Sequence, residues 1–141
     1  MVENIDPKKQ ELMQIAQDVL RAFLSQDINT LWALTQPTWK TFDNNIRQLE
    51  DKIDPVWEFN NFVSAEIMSY MYDPATPFLV AVIIEFRCAD GHKQYRRFNF
   101  LAEFASWYVN PISMLWNSPQ PPQPPQLPEY FVPYIKKEDI Q

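Results

Sequence analysis

Pro77 to Ala102 reads PFLVAVIIEFRCADGHKQYRRFNFLA. Phe78 to Cys88 is a strand pattern that begins uncharged and ends charged, and Lys93 to Ala102 is its returning partner. Between them stands Asp90-Gly91, the only Asp-Gly pair, which holds the only glycine in the chain. A glycine tolerates the positive φ that a two-residue type I′ turn demands, so the pattern predicts a β-hairpin. Helical patterns precede it and an aromatic strand pattern follows it. That order predicts an α+β fold with N-terminal helices packed on a curved antiparallel sheet, a shape that makes pockets.

A two-residue turn fixes the expected register. It sets Arg87 opposite Gln94, Glu85 opposite Arg96, Ile83 opposite Phe98 and Ala81 opposite Phe100 on one face. The other face then pairs Phe86 with Tyr95, Ile84 with Arg97, Val82 with Asn99 and Val80 with Leu101. Both faces are apolar toward the strand middles, whereas a sheet with one wet face alternates more sharply. Helices cover one side, and a second subunit is the simplest cover for the other. Glu85 and Arg96 are expected as a cross-strand pair, either ordinary sheet pairing or a base and an anion clamp at a pocket mouth.

Upstream, Asp6-Pro7 is a helix start, and Leu12, Ile15, Ala16, Val19, Leu20, Phe23 and Leu24 follow at three-and-four spacing. Asp27 caps a short second helix carrying Leu31, Trp32 and Leu34. Pro37 opens a third helix, with Trp39, Phe42, Ile46, Leu49 and Ile53 inward, which Asp54-Pro55 is expected to end. From Val56 the period changes to two. Val63, Ala65, Ile67, Ser69 and Met71 alternate with Ser64, Glu66, Met68, Tyr70 and Tyr72, so Glu66, Tyr70 and Tyr72 share a strand face. Trp107 to Val109 continues the sheet after a turn near Phe104. Pro111 marks a bulge or edge, with Ile112, Met114 and Trp116 extending the strand.

Three segments result: an α+β domain over residues 1–118, a linker over 119–128, and a short apolar-then-charged segment over 129–141. Six of the ten linker residues, PQPPQPPQLP, are proline. Such a run adopts polyproline II and spans about 31 Å if straight. Tyr130, Phe131, Val132, Tyr134 and Ile135 form an apolar cluster beyond it. That cluster either docks back on the domain or binds a partner protein, with Tyr130, Phe131 and Tyr134 as its contacts.

Composition excludes several classes. At 141 residues, with 46% hydrophobic and 15% aromatic residues, the chain builds one core and is not disordered. A net charge of −6 argues against general nucleic-acid binding. Arg87, Lys93, Arg96 and Arg97 around Asp90 give a local charge of +3, read either as a solvated hairpin tip or as an anion site. One glycine leaves no glycine-rich phosphate cradle. Cys88 has no disulfide partner, and Cys88 with His92 does not make a metal site, so no metal or cofactor is expected. His92 reads as an exposed turn residue. No apolar leader opens the sequence and prolines break the charge-free stretch after Phe104, so a cytoplasmic, non-membrane protein is expected.

The helix end, polar turn and small helix of Ser25 to Pro37 (SQDINTLWALTQP), set before a long strand and a tight hairpin, resemble the nuclear transport factor 2-like superfamily. That superfamily is also called SnoaL-like or cystatin-like, and the resemblance spans about residues 7 to 116. It implies a cone-shaped fold that is often a homodimer through the outer sheet face. It also implies either a non-catalytic binder of a partner protein or a small apolar ligand, or a metal-independent isomerase, dehydratase or cyclase. No catalytic motif of that family matches residue by residue. The pocket candidates are Tyr70, Tyr72, Glu66, Glu85 and Arg96. A non-catalytic module is the leading expectation, and the cone-pocket enzyme using carboxylate or tyrosine proton transfer is the alternative.

Overall fold

The computed structural model describes residues 7–40, 45–72, 75–115, 117–118 and 134–140. The chain is α+β: four helices pack against an antiparallel sheet curled into a half-barrel. The helices are α1 (Pro7–Ser25), α2 (Ile28–Ala33), α3 (Pro37–Lys40) and α4 (Ile46–Asn60). The strands are β1 (Phe62–Tyr72), β2 (Leu79–Cys88), β3 (Lys93–Glu103), β4 (Ser106–Val109), β5 (Asn117–Ser118) and β6 (Tyr134–Lys136). Their order is β4-β3-β2-β1-β6, with β5 also on β3.

α1 buries the expected stripe, from Leu12 through Phe23 and Leu24. Gln26, with φ +58, closes it; the Asp27 N–H then reaches the Ala22 carbonyl at 2.8 Å. The Asp27 carboxylate caps α2, accepting from the Thr30 backbone N–H at 3.2 Å and its hydroxyl at 2.6 Å. The third helical pattern is not one helix: α3 stops at Lys40 and α4 starts at Ile46. Phe42 lies outside the described residues. Asn45 and Gln48 form a reciprocal capping box that fixes the α4 start.

Pro55 does not end α4, which runs on to Asn60, so β1 begins at Phe62 rather than near Val56. An interior proline costs about 3 kcal/mol. Continuing the helix buries Trp57, whose ring meets Phe23 edge-on at 5.8 Å. Burying a tryptophan is worth about 4–6 kcal/mol by area, which offsets the proline, although the buried indole N–H, without a hydrogen-bond partner among the described residues, gives back about 1–3 kcal/mol. Asn61, in the left-handed region at φ +50, then stops the helix.

Phe23, Phe62, Phe86 and Phe98 pack at centroid distances between 4.7 and 5.9 Å and fill the space between α1 and the sheet. The predicted hairpin exists, but its loop has three residues, Ala89 to Gly91. The Gly91 N–H bonds the Cys88 carbonyl and the Cys88 N–H bonds the His92 carbonyl, both at 2.9 Å. Among the loop residues only Gly91 has positive φ, at +94, whereas a type I′ turn needs it at Asp90 as well. The loop is therefore a turn closed by a left-handed glycine. The whole register moves by one: Glu85 faces Tyr95, Ile84 faces Arg96 and Phe86 faces Gln94.

One more expectation is corrected at the sheet edge. Residues Pro111–Leu115 form a 3-10 turn, not a strand, and β5 then returns to pair with β3 at Tyr95 and Arg96. Trp116 lies outside the described residues. Near the C-terminus, β6 pairs with β1 over Ser64 to Glu66 and places Ile135 in the core. The proline-rich stretch 119–128, with Tyr130 and Phe131 beyond it, lies outside the described residues.

Candidate functional site

The sheet face turned away from the helices carries the polar side chains in ordered rows. Register places Lys93, Arg87, Ser64 and Lys136 in one row across β3, β2, β1 and β6. The next row is Tyr95, Glu85, Glu66 and Tyr134. Beyond these lie Arg97 and Ile83, then Asn99, Ala81 and Met71, then Leu101 and Leu79. One face therefore holds a cationic row, a carboxylate–tyrosine row and an apolar patch. Ala81 and Ile83 are buried yet stand outside the central core, whereas Met71 and Leu79 of the same face are exposed.

Glu85 is fixed from the β3 side. The Tyr95 hydroxyl donates to its Oε2 at 3.0 Å and Lys93 Nζ lies 3.4 Å from its Oε1. That hydrogen bond to the carboxylate, with burial second, holds the Tyr95 phenol above its ordinary pKa. Glu66, directly opposite Glu85, has no ion-pair partner among the described residues. Two carboxylates facing each other are unfavourable unless cations stand nearby, and Lys93 supplies one.

The expected Glu85–Arg96 pair is absent because the one-residue register shift sends the two side chains to opposite faces. Arg96 is 2% exposed and lies on the helix side. Its Nε donates to Gln94 Oε1 at 2.9 Å and its Nη1 to the Met114 carbonyl at 3.0 Å. The guanidinium sits 5.1 Å from the Phe62 ring centroid. Gln94 in turn donates to Asn60 Oδ1 at 2.7 Å, which ties the α4 end to the sheet. No carboxylate among the described residues neutralises this charge, and burial depresses the Arg96 pKa to about 10. Arg96 is thus a buried strut rather than a clamp at a pocket mouth.

The shared face predicted for Glu66, Tyr70 and Tyr72 is also corrected. An irregularity in β1 between Ile67 and Ser69 reverses the alternation, so Tyr70 packs against the core while Glu66 faces outward. Tyr72 belongs to β1, but its side chain lies outside the described residues. Tyr134 is exposed at the end of the carboxylate row. Cys88 is buried, and desolvation raises its thiol pKa, the environment of an inert packing residue. His92 is exposed beside Asp90 in the loop. Among the described residues, no three His, Cys, Asp or Glu side chains converge on a metal position, and no helix is long and apolar enough to cross a membrane.

The described cavities are open clefts. One of about 620 Å³ lies at the cationic end of the outer face, with Arg87, Lys136, Lys137, Ser64 and Tyr134 in its lining. Another of about 310 Å³ lies beside Phe78, Ala105 and Trp107. Sequence reasoning missed the parts played by Lys93 and Tyr95, because the shifted register hid both. Searches of protein-family models, curated proteins and solved structures find no match to this chain.

Proposed function

We propose that this chain is a non-catalytic binding module of the nuclear transport factor 2-like kind, which pairs with a second copy of itself through the outer sheet face. The observation that carries the reading is the placement of Glu66 and Glu85 on that face, while aromatic side chains fill the interior. A cone-pocket enzyme needs a carboxylate or phenol inside a sheltered cavity; among the described residues neither carboxylate lines a described cleft, and the inward phenol, Tyr70, packs against the core. A filled interior also favours a partner over a small apolar ligand. The outer face suits its own copy because it carries both charge signs around apolar side chains. A two-fold axis along β2, confined to the end of the face beyond the carboxylate row, lays the Arg97–Leu101 part of β3 of one copy on the Ser69–Met71 part of β1 of the other. This sets Arg97 of each copy beside Ser69 of its mate, one row from Glu66, with the exposed Met71 and Leu79 as apolar contacts.

Sedimentation of charge-reversed variants tests the pairing. Arg97→Glu is expected to yield a monomer, and adding Glu66→Arg to it is expected to restore the dimer. A folded Arg97→Glu variant with an unchanged mass contradicts the proposal.

A further inference from the structure

The cleft at the cationic end of the outer face lies apart from the proposed pairing patch. Its row of side chains is unusual for a chain with net charge −6. Lys93 and Arg87 are directly opposed across β2 and β3, an arrangement of like charges that destabilises a sheet. Lys93 is bound to Glu85, but Arg87 has no carboxylate partner among the described residues. On the far side of Ser64 stands Lys136, whose only carboxylate among the described residues is Glu138 at 3.9 Å. Lys137, partly withdrawn from water, lines the same cleft. Arg87, Lys136 and Lys137 against Glu138 leave a net +2. Ser64, a small residue 6% exposed, keeps the floor low between the cations, and Val63 and Ile140 supply apolar wall.

We infer that this cleft binds a small organic anion through a phosphate or carboxylate group. Arg87 offers the planar fork that matches either group, and the two lysines add point charges around it. A volume of about 620 Å³ exceeds what a bare inorganic ion needs and leaves room for an apolar body against Val63 and Ile140. The inference is independent of self-pairing, since it uses none of Arg97, Glu66, Ile83 or Ala81.

Titration calorimetry on the full chain in low salt tests it, with inorganic pyrophosphate and citrate as separate probes. Saturable binding of at least one probe is expected. Pyrophosphate alone assigns the phosphate chemistry, and citrate alone assigns the carboxylate chemistry. Arg87→Gln and Lys137→Gln are each expected to weaken binding by about tenfold or more. Lys52→Gln, a cation on α4 placed over the Trp39 ring, is expected to bind like the unaltered chain. Thermal melts of the variants establish that each remains folded. Absence of saturable binding by both probes overturns the inference, as does equal weakening by Lys52→Gln.

Discussion

Arg96 of β3 stands opposite Ile84 of β2, one position away from Glu85. That offset puts a guanidinium over the Phe62 ring and leaves the carboxylate outside with Tyr95 and Lys93. The guanidinium is held by one side-chain amide and one backbone carbonyl, and its removal strands both acceptors. Arg96→Ala is therefore expected to lower stability by about 2–4 kcal/mol. Chemical denaturation checks this. A variant as stable as the parent contradicts the strut role.

The β3–β4 turn holds Phe104 and Ala105 at φ +49 and +62, in the left-handed region that neither residue favours. Each non-glycine residue there costs roughly 1–2 kcal/mol. Phe104 is 83% exposed, so its ring returns little by burial. Replacing the pair by Phe104→Asn and Ala105→Gly is expected to raise stability by about 1–2 kcal/mol in denaturant titration. Gly91→Ala should act in the opposite direction: nothing crowds the position, but its φ of +94 strains any side chain.

Glu103 joins the sheet to the start of α3. Its Oε1 accepts from the Thr38 hydroxyl at 2.8 Å and the Thr38 backbone N–H at 3.1 Å, and its Oε2 from Gln36 at 2.6 Å. Burial raises its pKa, but the bonds from Thr38 and Gln36 together outweigh that and leave it below the ordinary carboxyl value. A carboxyl depressed by folding contributes stability above its unfolded pKa and loses it as the pH falls through the folded value. Melting temperatures are expected to fall from about pH 4.5 downward, and less steeply in Glu103→Gln. Parallel slopes in the two proteins contradict this latch.

Pro55 is exposed within α4, where it leaves the Asp51 carbonyl without its helical donor. Pro55→Ala restores that bond and is expected to stabilise the chain by about 1–3 kcal/mol, read by denaturant titration. An unchanged or lowered midpoint indicates a bend at Pro55 that the packing of Trp57 requires.

Much of this architecture was legible in local chemistry. The α1 stripe and the Asp27 cap each rest on contacts within a few residues, and Gly91 marks the hairpin. The register was not legible, because a glycine in the left-handed region serves a two-residue turn and a three-residue loop equally well. The conformation of Asp90 separates them, and composition does not encode it. The irregularity at Ile67–Ser69 was hidden for a related reason: Met68, Ser69 and Tyr70 fit either face until packing chooses. Helix continuation through Pro55 depended on Trp57 finding Phe23, a contact across 34 residues. The placement of Arg96 follows from the loop conformation, and that of Tyr70 from the strand irregularity. Both lie on the predicted strands, Arg96 on the side opposite Glu85 and Tyr70 on the side opposite Glu66, while Glu66 alternates with Ala65 and Ile67 as expected.

The molecular mass of the full chain at equilibrium in neutral buffer tests the central claim most directly. Self-pairing through the outer face predicts twice 16.8 kDa at micromolar concentration, reverting to one chain in Arg97→Glu. A parent protein that sediments at 16.8 kDa throughout that range contradicts the account.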